Sequence, residues 1–205
     1  SLFVVITLAG MTALLNANSL NQKSQNLRSI MDSLSFTLED LSKNLRTGYN
    51  YHCFSGSDII PATTSAIPST PKSCASGWGI SFESSNGSTS NNDDQWVYYI
   101  SNDGKIFKST QGPYASSSFV QMTPDDVVID TISSFAVLGA EALPGDTQQP
   151  FVTIKLVCKI TYKDFITPFS LQTSVSQRLI DVNSSLMAHQ VTYRYVKFKV
   201  TTTRS

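Results

Sequence analysis

The first fifty residues constrain this chain more than any other feature. Residues 2–15, LFVVITLAGMTALL, are an apolar run with a single Gly, and they pass into an amphipathic stretch ending near Arg46 and Gly48. Pro is absent from residues 1–60, so nothing forces a kink. The run is 14 residues long, about 21 Å of helix, where a full membrane crossing takes about 20 residues. It opens on Ser1 with no basic flank, which leads to the expectation that further apolar residues precede it in a longer gene product. A cleavable signal peptide, with an apolar core of about 7–15 residues, is the competing reading. Against it, Ala17, Asn18 and Ser19 are followed by more helical pattern and not by a break.

The second half of the helix carries a pattern. Leu27, Met31, Leu34, Leu38, Leu41 and Leu45 recur at steps of 4, 3, 4, 3 and 4, one stripe along a helix. Lys23, Arg28, Asp32, Glu39, Asp40, Lys43 and Arg46 lie off it. This stripe is expected to seat the helix on its own globular body, with a dimeric coiled coil as the rarer alternative. Gly48 is a plausible C-terminal stop. Residues 2–47 together predict a rod of about 70 Å. Its first half, with Leu2, Phe3, Val4, Val5, Ile6, Leu8, Met11, Leu14 and Leu15, is expected to be buried against the same segment of other subunits, or in a membrane before assembly.

Charged residues make up only 15% of the chain and the net charge is zero, so nothing global points to nucleic acid. The signs are segregated, however. Residues 51–150 carry three Lys and ten Asp or Glu, and residues 151–205 carry eight Lys or Arg and two Asp. That polarity suits either neighbour registration in a repeating assembly or two unrelated solvated faces.

Cys53 and Cys74 bracket FSGSDIIPATTSAIPSTPKS, a Ser/Thr/Pro-rich stretch with little to pack. A bridge between them would contribute about 3 kcal/mol on the chain-entropy model and requires an oxidising compartment. Cys158 shares strand alternation with Val152, Ile154, Leu156, Ile160 and Tyr162 and reads as a small buried hydrophobe.

Beyond residue 75 the chain reads as antiparallel β-structure. Strands are expected at 79–83, 95–101, 105–109, 118–122, 127–138, 151–162 and 169–180, with turns at 144–146 and 163–168. Asn102-Asp103-Gly104 is a hairpin signal, since Asp-Gly readily takes positive φ. Residues 84–94, SSNGSTSNNDD, form a polar loop. The final segment, 189–200, is rich in β-branched and aromatic residues and predicts a strand added to a sheet edge of its own or a neighbouring subunit. The domain reading is a helix over 1–48, a β-rich body over 49–182 and a C-terminal extension over 183–205, in the α+β class.

The apolar helix, MDSLSFTLEDLSKNLRTGYNYHC with LEDLSKNLRTG at 38–48, and a β-body ending in QPFVTIKLVCKITY and SLQTSVSQRLIDV together resemble bacterial type IV pilin-like proteins, in particular the PilW-like or J-type minor pilins and pseudopilins. The resemblance covers about residues 1–182. It implies a long helix packed on an antiparallel sheet, polymerisation through the helix into a pilus or a secretion pseudopilus, insertion in the inner membrane before assembly, and display at the cell surface. The family's methylated processing site and assembly Glu fall upstream of Ser1 on this expectation. A tip or adhesive subunit contacting a surface or DNA is the alternative within the same design.

Catalytic signals are thin. His52 and His189 are read as surface or turn residues. Asp93-Asp94 and Asp125-Asp126 could offer oxygen ligands to a cation such as Ca²⁺, without EF-hand spacing. Nucleotide loops, nucleophile elbows and zinc helices are missing from the sequence. Arg194, Lys197 and Lys199 interleave with Tyr193, Tyr195 and Phe198, which reads as a solvated strand face more than a nucleic-acid contact. Asn86 and Asn183 head glycosylation sequons, a short motif that chance often produces. The expectation is a non-enzymatic subunit with no cofactor and no small-molecule substrate, whose partners are other subunits.

Overall fold

The computed structural model describes residues 2–60, 70–112, 118–141, 148–162 and 165–178. One helix, α1 (Leu2–Thr47, 46 residues), is followed by ten strands: β1 (Tyr49–Phe54), β2 (Cys74–Gly77), β3 (Gly79–Glu83), β4 (Gln95–Ile100), β5 (Ile106–Ser109), β6 (Val120–Gln121), β7 (Val127–Ile129), β8 (Ser134–Leu138), β9 (Phe151–Tyr162) and β10 (Phe165–Ser176). The strands form two antiparallel sheets, ordered β1-β3-β4-β5-β6 and β10-β9-β8-β2, with β7 also on β9. The class is α+β, as the sequence predicts.

Helix α1 runs without interruption, about 69 Å at 1.5 Å per residue. Its second half lies across both sheets, and its fully buried residues are Ile30, Leu34, Thr37, Leu41 and Leu45. Leu27, Met31 and Leu38 are half-buried at the margins of that ridge. The expected stripe is thus right in phase but rotated slightly, because Ile30 and Thr37 face the body. Thr37 fits there by donating its hydroxyl to the Met122 carbonyl, 3.1 Å away.

Gly48 ends the helix for a packing reason. A Cβ there would collide with the Phe82 ring. The left-handed residue of the turn is instead Asn50, with φ of 56°, one of the few non-Gly types that tolerates αL. The Tyr51 hydroxyl then covers the helix end, 2.9 Å from the Gly48 carbonyl.

Strands β9 and β10 pair along their whole length, from Phe165↔Tyr162 to Ser176↔Phe151. The expected turn at 163–168 is therefore too long, and the second strand starts four residues earlier than predicted. Pro168 misled that reading; it sits in the edge strand, where a missing N–H is tolerated. The alternation on β9 is as expected, with Val152, Ile154, Leu156, Cys158 and Ile160 all buried.

The strand expected over 127–138 is broken into β7 and β8, both antiparallel to β9. Between the pairs Ile129↔Cys158 and Ser134↔Lys155, four residues stand opposite Leu156 and Val157 alone. The bulge is patched by Ser133, whose hydroxyl accepts from the Val157 N–H (2.8 Å) and reaches its carbonyl (3.1 Å). The expected hairpin at Asp103-Gly104 is present: Gly104 takes φ of +70° between β4 and β5, and its carbonyl accepts from the Ile129 N–H at 2.9 Å. That contact stitches the two sheets. The segment 189–200, the sequon at Asn183, His189 and the turn at 144–146 lie outside the described residues.

Candidate functional site: the exposed half of the helix

Where the second half of α1 packs, the first half stands exposed among the described residues. Phe3, Val4, Val5, Ile6, Leu8, Met11, Leu14, Leu15 and Leu20 are all exposed, Phe3 at 77% and Leu14 at 73%. Leu2 opens the helix, and its side chain lies outside the described set. Because Phe3, Val4, Val5 and Ile6 fill a complete turn, the segment is apolar on every side and has no polar face for water. By length and composition the helix is able to cross a membrane.

The two hydroxyls within residues 3–15 are locally satisfied. Thr7 donates to the Phe3 carbonyl at 3.0 Å and Thr12 to the Leu8 carbonyl at 2.8 Å. Hydroxyls that bond back to the preceding turn present methyl groups outward, which suits an apolar surrounding where every polar group must be matched internally. Nothing lies within 4 Å of the position a Cβ would take at Gly10, so a neighbouring helix has close access to the backbone there.

The helix is locked to its body by a polar cluster that the sequence pattern did not reveal. Asp40, expected off the packed face, accepts from Lys108 Nζ (2.8 Å), the Tyr98 hydroxyl (2.9 Å) and Asn44 Nδ2 (3.0 Å). Lys108 in turn lies 4.7 Å from the centre of the Trp96 ring, a cation–π contact. Burial on its own would raise the Asp40 carboxyl, but the bonds from Lys108, Tyr98 and Asn44 outweigh it and hold the group below its usual range. Only a tertiary partner 68 residues away gives Asp40 this role, so spacing along the helix carries no sign of it.

Cys53 and Cys74 are bonded, with Cα atoms 5.9 Å apart, and Cys158 is free and buried. The bridge joins β1 at the edge of one sheet to β2 at the edge of the other. Gly77 is required beside it, since a Cβ there would overlap Cys53 Sγ. Burial pushes the Cys158 thiol up to about 11, so it is a thiol and not a thiolate at neutral pH.

His52 is not on the surface, as its position in the sequence suggested. It is buried in β1 with Nδ1 2.8 Å from the Thr70 carbonyl. Burial lowers its pKa, against the opposing pull of the Thr70 bond. Among the described residues, no three His, Cys, Asp or Glu side chains converge as a metal centre.

Compared with models of protein families, with curated proteins and with solved structures, the chain shows no significant match. The long N-terminal apolar helix followed by antiparallel sheets is compatible with a pilin-like fold.

Proposed function

We propose that this chain is a structural subunit of a type IV pilus-like filament or a secretion pseudopilus, polymerising through residues 3–20 and held in the inner membrane before assembly. The observation that carries the reading is the contrast along one unbroken helix: a docked second half and a first half with nine large apolar side chains in the open. Burying those nine at about 1.5 kcal/mol each is worth on the order of 13 kcal/mol, enough to drive association. The body stays outside such a filament core, because α1 meets it only from about Leu27 onward. The disulfide joining its two sheets suits an oxidising exterior.

The test is assembly of Val5→Asp and Ala9→Asp subunits. Each places a charge where an apolar surrounding penalises it by about 2.5–3.5 kcal/mol. Filaments should be lost while the β-body unfolds at its wild-type temperature. Normal filaments from either variant would overturn the reading. Copy number per filament separates a repeating subunit from one placed at the tip.

A further inference from the structure

One cleft in the body joins two aromatic rings to a polar rim. It holds about 580 Å³, and its lining includes Trp78, Tyr99, Ser101, Asn102, Asp103 and Asp58. Small-molecule sites occupy about 300–1,000 Å³, so the volume is of the right order. The rings lie on the side of the first sheet that turns away from α1. The Tyr98 hydroxyl reaches Asp40 on the helix, so Tyr99, its neighbour on β4, points the opposite way.

The rings are fixed before any ligand arrives. Trp78 and Tyr99 stand 6.4 Å apart with their planes at 88°. Phe54 packs against Trp78 at 5.4 Å, and Phe107 and Phe119 pack against Tyr99 at 5.3 and 5.1 Å. Beneath them the Ile100 N–H donates to the Trp78 carbonyl at 2.8 Å, and the Trp78 N–H to the Phe54 carbonyl at 2.9 Å. Both rings nonetheless remain half-buried and not fully covered. Rings held in this way offer contact area to a ligand at little entropic cost.

The rim decides what the cleft takes. Ser101 Oγ accepts from the Lys105 N–H at 3.2 Å, which leaves its proton to donate. Asn102 both donates and accepts, and Asn102 and Asp103 are exposed at the β4–β5 turn. Asp58 is paired with Lys72, which stands outside the lining. No Lys, Arg or His lines the cleft, so two carboxylates repel an anion. An aliphatic ligand would leave the four polar side chains unmatched. A cation would suit the rings, but Lys72 already offsets Asp58, and Ser101 and Asn102 would have no role. A pyranose answers every part. Its face of C–H bonds lies flat on an aromatic ring, and each hydroxyl around its edge both donates and accepts.

We propose that this cleft binds a short neutral oligosaccharide, stacked on Trp78 and held through its hydroxyls by Ser101, Asn102 and Asp103. No residue of α1 takes part, so the site stands or falls independently of the assembly proposed above.

The test is titration of the full chain with lactose, cellobiose, mannobiose and chitobiose, followed by tryptophan fluorescence. The chain is kept in a polyoxyethylene detergent, which carries no sugar. At least one disaccharide is expected to saturate with a Kd of about 1 mM or tighter. The chain has two Trp, and Trp96 lies under Lys108 on the helix side of the sheet. Trp96→Phe should therefore keep both the signal and the affinity. Trp78→Ala, read by calorimetry, should abolish binding. Asn102→Ala and Asp103→Ala should each weaken it by about threefold to tenfold with the unfolding midpoint unchanged. The proposal is overturned if none of the four sugars saturates, or if Trp78→Ala binds as wild type does. Should Trp78→Ala fail to fold, the Asn102→Ala/Asp103→Ala double variant decides, and wild-type affinity there is fatal to the idea. Saturation by choline chloride while no sugar binds marks a cation cleft and overturns the proposal likewise.

Discussion

The two halves of α1 share a backbone and differ in everything that side chains do. Residues 30–45 offer the body one ridge of Ile30, Leu34, Thr37, Leu41 and Leu45, with Asp40 tied to Lys108 beside it, and turn Asp32, Glu39 and Lys43 outward. Residues 3–15 are apolar around the whole circumference and are exposed among the described residues. A stripe is the signature of a helix with one partner surface, and an all-round apolar segment is the signature of one that is surrounded. The comparison teaches that the contacts holding the fold lie in one stretch of the element, and that the assembly proposed above would draw on the other. Substitutions in the two halves should therefore have separable effects.

The largest expected effect tests that separation directly. Val5→Asp should remove assembly entirely yet shift body unfolding by less than about 0.5 kcal/mol, measured by filament yield and by thermal denaturation of the same preparation. The mirror experiment is Leu41→Ala. Leu41 is fully buried, so its truncation should destabilise the body by about 2–5 kcal/mol. Leu8→Ala, at a site 64% exposed, should leave body unfolding unchanged, and an equal loss in both would break the distinction.

Next comes the bridge. Replacing Cys53 and Cys74 by Ser should cost about 3 kcal/mol, for a span of 21 residues, read from denaturant midpoints. Peptide mapping without reduction should find only this pair linked, and Cys158 should be alkylated only after unfolding.

The smallest effect sharpens the boundary between the halves. Asp40→Asn weakens the tie to Lys108 and should cost about 1.5 kcal/mol near pH 7. Because folding holds the Asp40 carboxyl below its ordinary value, the ionised form favours the folded chain. That contribution is complete above the unfolded pKa near 3.9 and fades as pH falls through the lower folded value. The gap between wild type and Asp40→Asn should accordingly be constant from about pH 7 to 5 and shrink on further acidification.

Much of this architecture was legible because it is periodic. The alternation of Val152, Ile154, Leu156, Cys158 and Ile160 marks β9 from one face alone, and the heptad-like steps from Leu27 to Leu45 mark the docked helix. Strand β1 was not legible, since YNYHCF is buried on both faces over its last four residues and shows no alternation. The break between β7 and β8 was hidden for another reason: Asp130 to Ser133 continue a plausible strand composition, and only the partner strand reveals the surplus residues. For the apolar first half of α1, composition alone was enough to mark a helix without a polar face. The Asp40–Lys108 lock depends on residues that only the folded sheet brings together, and no spacing along the chain announces it.

The way α1 leaves the body has a mechanical consequence. Tension applied to the projecting half is delivered along the helix axis to side chains seated side by side from Ile30 to Leu45, and at its far end to the Arg46 carbonyl, which accepts from the Arg178 N–H at 2.9 Å. All of these contacts are loaded in parallel, in shear, and none can be peeled from one end without dragging the others. The Asp40–Lys108 pair also fixes the angle of the rod about its own long axis. A chain so built passes torque as well as pull from the projecting half of α1 to the β-body.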